Sequence, residues 1–179
     1  MKIRKFLFLS IWLILCTACQ NTQTQQPEVQ PISTPQAPKL SVKHPLGIIG
    51  AVEPVYILPM KASFQARIDT GAETSSVDVD DYHLFERDGV KWVSFQIKNN
   101  KNGETQTFEK KLKRRIAVRR IDENERRPVI MLNVKFGGKI IKAEFSIAKR
   151  EKFDYQVLIG RNILTGLAVV DTSLANTLR

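Results

Sequence analysis

The chain has 179 residues, 28 Lys and Arg against 18 Asp and Glu, and a formal charge of +10, which suits one domain plus extras. Its two cysteines, Cys16 and Cys19, both lie near the start, so the rest of the chain has no internal disulfide, no thiolate nucleophile and no cysteine ligand for zinc. The charge invites a nucleic-acid reading, but no aromatic-rich binding module accompanies it, and no nucleic-acid partner is expected.

Lys2, Arg4 and Lys5 precede the apolar run Phe6 to Leu15. That run is shorter than the roughly 20 residues a membrane-spanning helix needs, so residues 1–18 read as a signal peptide. Leu15-Cys16-Thr17-Ala18-Cys19-Gln20 resembles the cleavage box of bacterial lipoproteins, with Cys19 as the lipidated residue. Cys16 stands where that box has Leu, and ordinary signal cleavage nearby is the alternative. With Gln20 rather than Asp after Cys19, the pattern resembles sorting to the outer membrane, giving an expected place on the periplasmic face of that membrane in the bacterial envelope. Residues 19–45 are rich in Gln, Thr and Pro and cannot bury enough surface to fold. They read as a disordered tether reaching roughly 80 Å if polyproline-like.

The folded part is expected over 46–179. Leu46 to Gly50 and Pro54 to Pro59 read as short strands, and Ala62, Phe64, Ala66 and Ile68 then alternate with polar residues. This strand runs into Asp69-Thr70-Gly71-Ala72. Ser75 to Val79 alternates briefly, and a turn is expected near Asp81. Lys91 to Ile97 and Glu104 to Lys110 flank the turn cluster Asn99 to Gly103 and form a hairpin. Lys110 to Arg120 holds most of the excess positive charge. A solvated strand face is its plain reading, and an anionic lipid, lipopolysaccharide or an acidic substrate is the other. Arg114 to Ile121 is a strand, followed by a charged connection from Ile121 to Arg127. A second hairpin joins Ile130, Leu132, Val134 and Phe136 to Ile141, Ala143, Phe145 and Ile147 through Gly137-Gly138, a two-residue loop of the primed type. Val157 to Ile159 ends in Gly160, after which Asn162 to Leu167 has a short helical pattern, and Ala168 to Asp171 is a last strand. Many short strands with sparse helix indicate an all-β, barrel-like domain.

Asp69 is delivered from the end of a rigid strand. Taken alone, Asp-Thr-Gly is an ordinary turn, with Gly71 allowing close approach and Thr70 bonding locally. Together with Leu158-Ile159-Gly160-Arg161-Asn162, it resembles the retropepsin-type aspartic proteases. A bacterial family long labelled an ATP-dependent zinc protease, and now grouped with the retropepsin-like endopeptidases, is more similar still. That resemblance covers about residues 47 to 172, through Ile49 to Glu53, the Asp69 turn, Phe85 to Gly89, Glu125 to Val129 and Leu158 to Arg161. It implies an all-β, closed retropepsin-like barrel with one short helix after the Ile-Gly-Arg-Asn segment. Asp69 would be the catalytic acid, Thr70, Gly71 and Ala72 its supporting turn, and Glu73 and Arg161 a structural ion pair.

Peptide cleavage by carboxylates alone needs two of them sharing one proton. The chain has one Asp-Thr-Gly; Asp171-Thr172-Ser173 comes nearest to a second, with Ser in place of Gly. A homodimer bringing two Asp69 side chains together is therefore expected, cleaving a peptide or an acidic amino-acid polymer. The rival is a non-catalytic envelope lipoprotein of the same fold that holds an anionic ligand on its basic strands. The substrate-covering hairpin is expected at Asn99 to Gly103, with the Ile121 to Arg127 connection as the other candidate. Arg126 and Arg127 are candidate substrate contacts or simply an exposed basic connection. No cofactor is expected. The histidines are His44 and His83 alone, without zinc-ligand spacing, and no Gly-x-x-x-x-Gly-Lys loop for ATP is present.

Overall fold

The computed structural model describes residues 43–119, 124–148 and 154–178. Residues 1–18, Cys19 and nearly all of the 19–45 tether lie outside the described residues. In chain order the strands are β1 (Ile48–Ile49), β2 (Val52–Ile57), β3 (Ser63–Ile68), β4 (Ser75–Asp78), β5 (Tyr82–Arg87), β6 (Val90–Lys98), β7 (Thr105–Lys111) and β8 (Arg114–Arg119). β9 (Asn124–Phe136), β10 (Lys139–Ala148) and β11 (Val157–Ile159) follow, then the single helical turn α1 (Arg161–Leu164) and β12 (Val169–Val170).

Alternation does most of the building. In β3, Phe64, Ala66 and Ile68 are buried while Gln65 and Arg67 are exposed, as a half-buried strand requires. The β9–β10 hairpin turns at Gly137 and Gly138, whose φ values of 53° and 75° are those of a type I′ loop, with Phe136 opposite Lys139. Ile130, Leu132, Val134 and Phe136 thereby point inward with Ala143, Phe145 and Ile147. Each such large side chain withdrawn from water contributes about 1.5–3 kcal/mol.

The ladders β10–β4–β11–β3–β2–β9 close on themselves through the β9–β10 pairing, giving a six-stranded barrel. This is the closed, nearly all-β architecture expected. β8 continues the sheet outward by pairing with the first half of β9. A separate sheet β5–β6–β7 buries Val93, Phe95, Ile97 and Phe108, with the Phe95 and Phe108 rings stacked at 5.4 Å. Two local expectations change. A strand, β5, stands where a turn near Asp81 was expected; Asp88 (φ 53°) and Gly89 (φ 70°) form its tight hairpin to β6. The supposed connection Ile121 to Arg127 is strand from Asn124 onward, because it pairs with β8.

A buried acid fastens the chain's end. Glu53 is fully buried, and its carboxylate accepts hydrogen bonds from Gly50 N–H (2.6 Å), Leu178 N–H (2.9 Å), Thr177 N–H (3.1 Å) and Thr177 Oγ1 (2.7 Å). Burial alone raises its pKa, but these four donors outweigh it and hold the carboxyl below the ordinary value of 4.5. The resulting stabilisation is complete above the ordinary value and is lost as pH falls through the depressed folded one. Glu53→Gln, which removes the charge and mismatches one donor, should cost about 2–4 kcal/mol at pH 7. Urea unfolding should show that difference shrinking as pH is lowered from 5 towards 3; a constant difference would argue against the ionised clamp.

Candidate active site

β3 ends at Asp69, whose N–H donates to Ile159 O at 2.9 Å and so fixes the acid against the end of β11. Its Oδ1 accepts from Gly71 N–H (2.9 Å) and Ala72 N–H (3.1 Å). This is an Asx turn of the kind the sequence allows, but it has a consequence for chemistry. One carboxylate oxygen is held by the backbone, and Oδ2 is free of any hydrogen bond among the described residues. The Asp69 side chain is half-buried, while Thr70 and Gly71 beside it are exposed.

The turn rests on the segment after β11. A Cβ on Gly160 would lie 2.9 Å from Ala72 O and 3.0 Å from Thr74 C, so only glycine allows β11 to approach this closely. Arg161 N–H then donates to Ala72 O (2.8 Å) and Asn162 N–H to Glu73 O (3.1 Å). The Asn162 side chain completes the seat. Its Oδ1 accepts from both Ser75 N–H and Ser75 Oγ at 2.8 Å, and its Nδ2 donates to Glu144 O at 2.8 Å. Ser75 Oγ in turn accepts from Gly160 N–H at 3.0 Å.

The expected Glu73–Arg161 ion pair is not formed among the described residues. Arg161 Nη1 donates instead to the carbonyls of Thr70 (2.9 Å) and Gly71 (2.7 Å). The physical reason is local. The turn leaves those two carbonyls without strand partners beside the start of α1, whereas the Glu73 carboxylate is exposed to water and well solvated there. Arg161 meets the acid turn through the turn's backbone carbonyls rather than through Glu73.

A cavity of about 440 Å³ opens on Asp69 and is lined also by Ser76, Ser146 and Leu158 from the barrel wall and by Arg114, Ile116, Val118 and Arg127 from the β8–β9 hairpin. It is therefore β8–β9 that stands beside the acid, and the expectation of a covering hairpin at Asn99 to Gly103 is corrected. That turn is pinned at the opposite end of β3: Asn99 Nδ2 donates to Ser63 O (3.1 Å), and Glu104 accepts from Lys61 N–H and Ala62 N–H. A six-residue strand separates it from Asp69 by about 20 Å.

The two candidate arginines part company. Arg127 is 7% exposed and lines the Asp69 cavity; its Nη2 donates to Glu125 at 2.7 Å, while its Nε has no partner among the described residues. Arg126, on the other face of β9, is exposed and opposite Ala117. His83 lies on β5, opposite Ser94 of β6, and stacks on Phe85 at 6.3 Å. Three residues that matter to the site escaped the sequence reading: Ser75, Asn162 and Arg114. Asn162 stood within the segment already singled out, but its partner is 87 positions away. Arg114 was hidden in a basic run.

These contacts separate two accounts of the seat. Glu73→Gln should change stability by less than about 0.5 kcal/mol, as at an unpaired surface site. Asn162→Ala, which leaves two Ser75 donors unanswered, should cost about 2–4 kcal/mol. Chemical denaturation of both variants is the measurement, and a Glu73→Gln loss as large as that of Asn162→Ala would restore the ion pair.

Comparison with known proteins places this geometry. The chain is 32% identical over 114 residues to a probable alpha-L-glutamate ligase of Shewanella pealeana, covering 62% of this chain and 25% of that protein. It is 27% identical over 115 residues to one from Desulfotalea psychrophila, covering 63% and 25%. The chain thus spans about a quarter of the length of these curated relatives. A crystal structure of a Legionella pneumophila protein of unknown function superposes with a TM-score of 0.64 at 26% identity, over 74% of this chain and 98% of that one. The family model described as RimB-like, retropepsin-like aspartic endopeptidase RimB, matches residues 48–178. With most of the chain matched, including the Asp69 turn and its Gly160–Asn162 seat, the protein belongs to the RimB-like family of retropepsin-like aspartic endopeptidases.

Proposed function

We propose that the chain is an aspartic endopeptidase acting as a homodimer, held in the bacterial envelope by lipid on Cys19 and cleaving a peptide or an acidic amino-acid polymer. The observation that carries this reading is Asp69 itself, with Oδ1 held by two backbone N–H groups and Oδ2 open to a cavity beside the β8–β9 hairpin. In the dimer two such carboxyls share one proton. The ionised one takes a proton from water as the water attacks the carbonyl carbon, and the protonated one donates to the carbonyl oxygen.

A single chain offers half of this arrangement. Asp171 does not line the Asp69 cavity; it sits in a turn of its own, its Oδ1 accepting from Ser173 N–H (2.9 Å) and Ser173 Oγ (2.6 Å). An exposed apolar surface is available to a second copy. Ile48 is 60% exposed, Val169 46% and Leu174 41%, and the first two face each other across the β1–β12 ribbon. The ribbon leads through Gly50 to Ala51, whose carbonyl accepts from the N–H of Ile68, the residue before the acid, at 2.9 Å. Exposed apolar residues grouped in this way suit a self-complementary interface. For the substrate, the names of the curated relatives support an acidic amino-acid polymer, as do Arg127 and Arg114 in the cavity. A common membrane anchor would raise the local concentration of subunits and favour pairing.

The test uses the full-length chain in neutral detergent, a peptide library that includes glutamate-rich members, and sedimentation to read its mass. Asp69→Asn should leave the fold intact and lower cleavage by about a thousandfold or more, and a statine-type analogue should inhibit the unaltered enzyme. Ile48→Lys with Val169→Lys should shift the dimer to monomer and remove activity with it. Cleavage that survives Asp69→Asn rejects the mechanism; a folded chain that binds acidic peptides and cleaves none favours the non-catalytic module.

A further inference from the structure

The outer face of the β9–β10 hairpin carries more than the Asp69 cavity. Ser146 pairs with Val129, Glu144 with Met131 and Lys142 with Asn133, and residues directly opposite in a ladder share a face. Arg127, two positions before Val129, belongs to that same face. Three hollows follow one another along it. The first holds Asp69, Arg127 and Ser146. The second, about 610 Å³, holds Met131 and Glu144 and shares Glu73, Thr74 and Arg114 with the first. The third, about 500 Å³, holds Asn133 and shares Met131 and Lys142 with the second.

Charge changes along this track. In the middle hollow the Glu144 carboxylate is bound by Arg114 through Nε (2.9 Å) and Nη2 (2.8 Å), and Glu73 lies among Arg161 and Lys142. In the third hollow the lining has Lys110, Lys111, Lys113 and Lys142 and no carboxylate. Leu112, Met131 and Val90 supply an apolar floor for the lysine stems. Lys110 and Lys111 leave β7 on opposite faces, the Lys110 ammonium 5.8 Å from the Phe108 ring centre and the Lys111 ammonium 5.6 Å from the Trp92 ring centre, so the positive charge of the hollow is assigned to Lys110, Lys113 and Lys142. From Arg127 to Asn133 is six residues of strand, roughly 20 Å at about 3.3 Å per residue, a distance that about six residues of extended peptide would cover.

We propose that the lysine-lined hollow is an exosite for a run of carboxylates on the polypeptide whose scissile bond lies at Asp69, four to six residues away. The proposal rests on the peptidase reading above for its link to cleavage, whereas the binding site itself stands on Lys110, Lys113 and Lys142. A lipid headgroup or free phosphate could answer the charge, but neither needs a track continuous with the acid; an extended acidic chain does. Three cations with no acid in the lining also set the direction, with the carboxylates at the far end and the cleaved bond beneath β8–β9. Long-range attraction of this kind chiefly tightens and orients binding, so it acts on KM more than on kcat.

The experiment measures binding apart from cleavage. Full-length chain carrying Asp69→Asn, in neutral detergent, is titrated with a fluorescein-labelled α-linked oligoglutamate of about twelve residues and with an oligoglutamine of equal length, by anisotropy. The oligoglutamate should bind at least about tenfold more tightly, and the advantage should fade as salt rises. Lys110→Gln, Lys113→Gln and Lys142→Gln combined should abolish the advantage, and Lys142→Gln alone, at an exposed position, should reduce it by about two- to fivefold without altering the melting temperature. Equal oligoglutamate binding by the lysine variants overturns the proposal. So does lysine-dependent binding of anionic vesicles or inorganic phosphate without oligoglutamate binding. Failure of the peptidase reading registers separately, as absent cleavage by the unaltered chain.

Discussion

The hydrogen bonds between the acid turn and the Gly160–Asn162 segment position everything that bears on function. Asp69 is fixed to Ile159 through its N–H, the carbonyls of Thr70, Gly71 and Ala72 are received by Arg161, and Ser75 is received by Asn162. These contacts join strands about 90 residues apart in sequence, so they must overcome a substantial loop-closure entropy and form only when the barrel does. In return, the carboxylate occupies one place. A single ion pair at a water-exposed position would contribute little; a set of short backbone bonds, several of them shielded, resists rotation of the whole turn. Gly160 makes this possible by bringing the two backbones within contact distance.

The barrel and its projecting hairpin divide two tasks. Six strands closed on themselves leave no free edge in the barrel proper, which gives the Asp69 turn a rigid support. β9 is thirteen residues long and serves both parts, its second half within the barrel and its first half beyond it with β8. The same strand therefore carries Leu132 and Val134 into the core and Arg127 to the cavity. Arg127 is buried with Nε unanswered among the described residues, an arrangement that costs folding energy unless a bound group meets it. Together with the open Oδ2 of Asp69, it makes the cavity a place where a polar substrate would repair what folding leaves incomplete.

Periodicity and punctuation determined a large share of this protein in advance. The inward face of β3, the I′ turn at Gly137-Gly138, the β6–β7 hairpin and the delivery of Asp69 from a strand end are all local, and short-range sterics and side-chain alternation decide them. The strand β5 was missed because Tyr82 to Arg87 does not alternate cleanly. Its stability comes from pairing with β6 and from Arg87 lying over the Phe85 and Trp92 rings at 5.3 Å and 5.2 Å; only the Asp88-Gly89 pair announced it.

Other features depended on which distant segments meet, and no local pattern encodes that. The sequence marked Arg161 as a support for the acid turn, but tertiary packing chose its partners, because carbonyls freed by a turn outcompete a solvated carboxylate. The sequence marked Arg126 and Arg127 together, and the pairing of β8 with β9 separated them by sending alternate side chains to opposite faces. Lys110 of β7 and Lys113 just beyond it read as a solvated stripe until folding set them around one hollow with Lys142 from β10. Residue chemistry thus fixed what each side chain could do, while barrel closure, which brings together groups remote along the chain, decided which of them share a site.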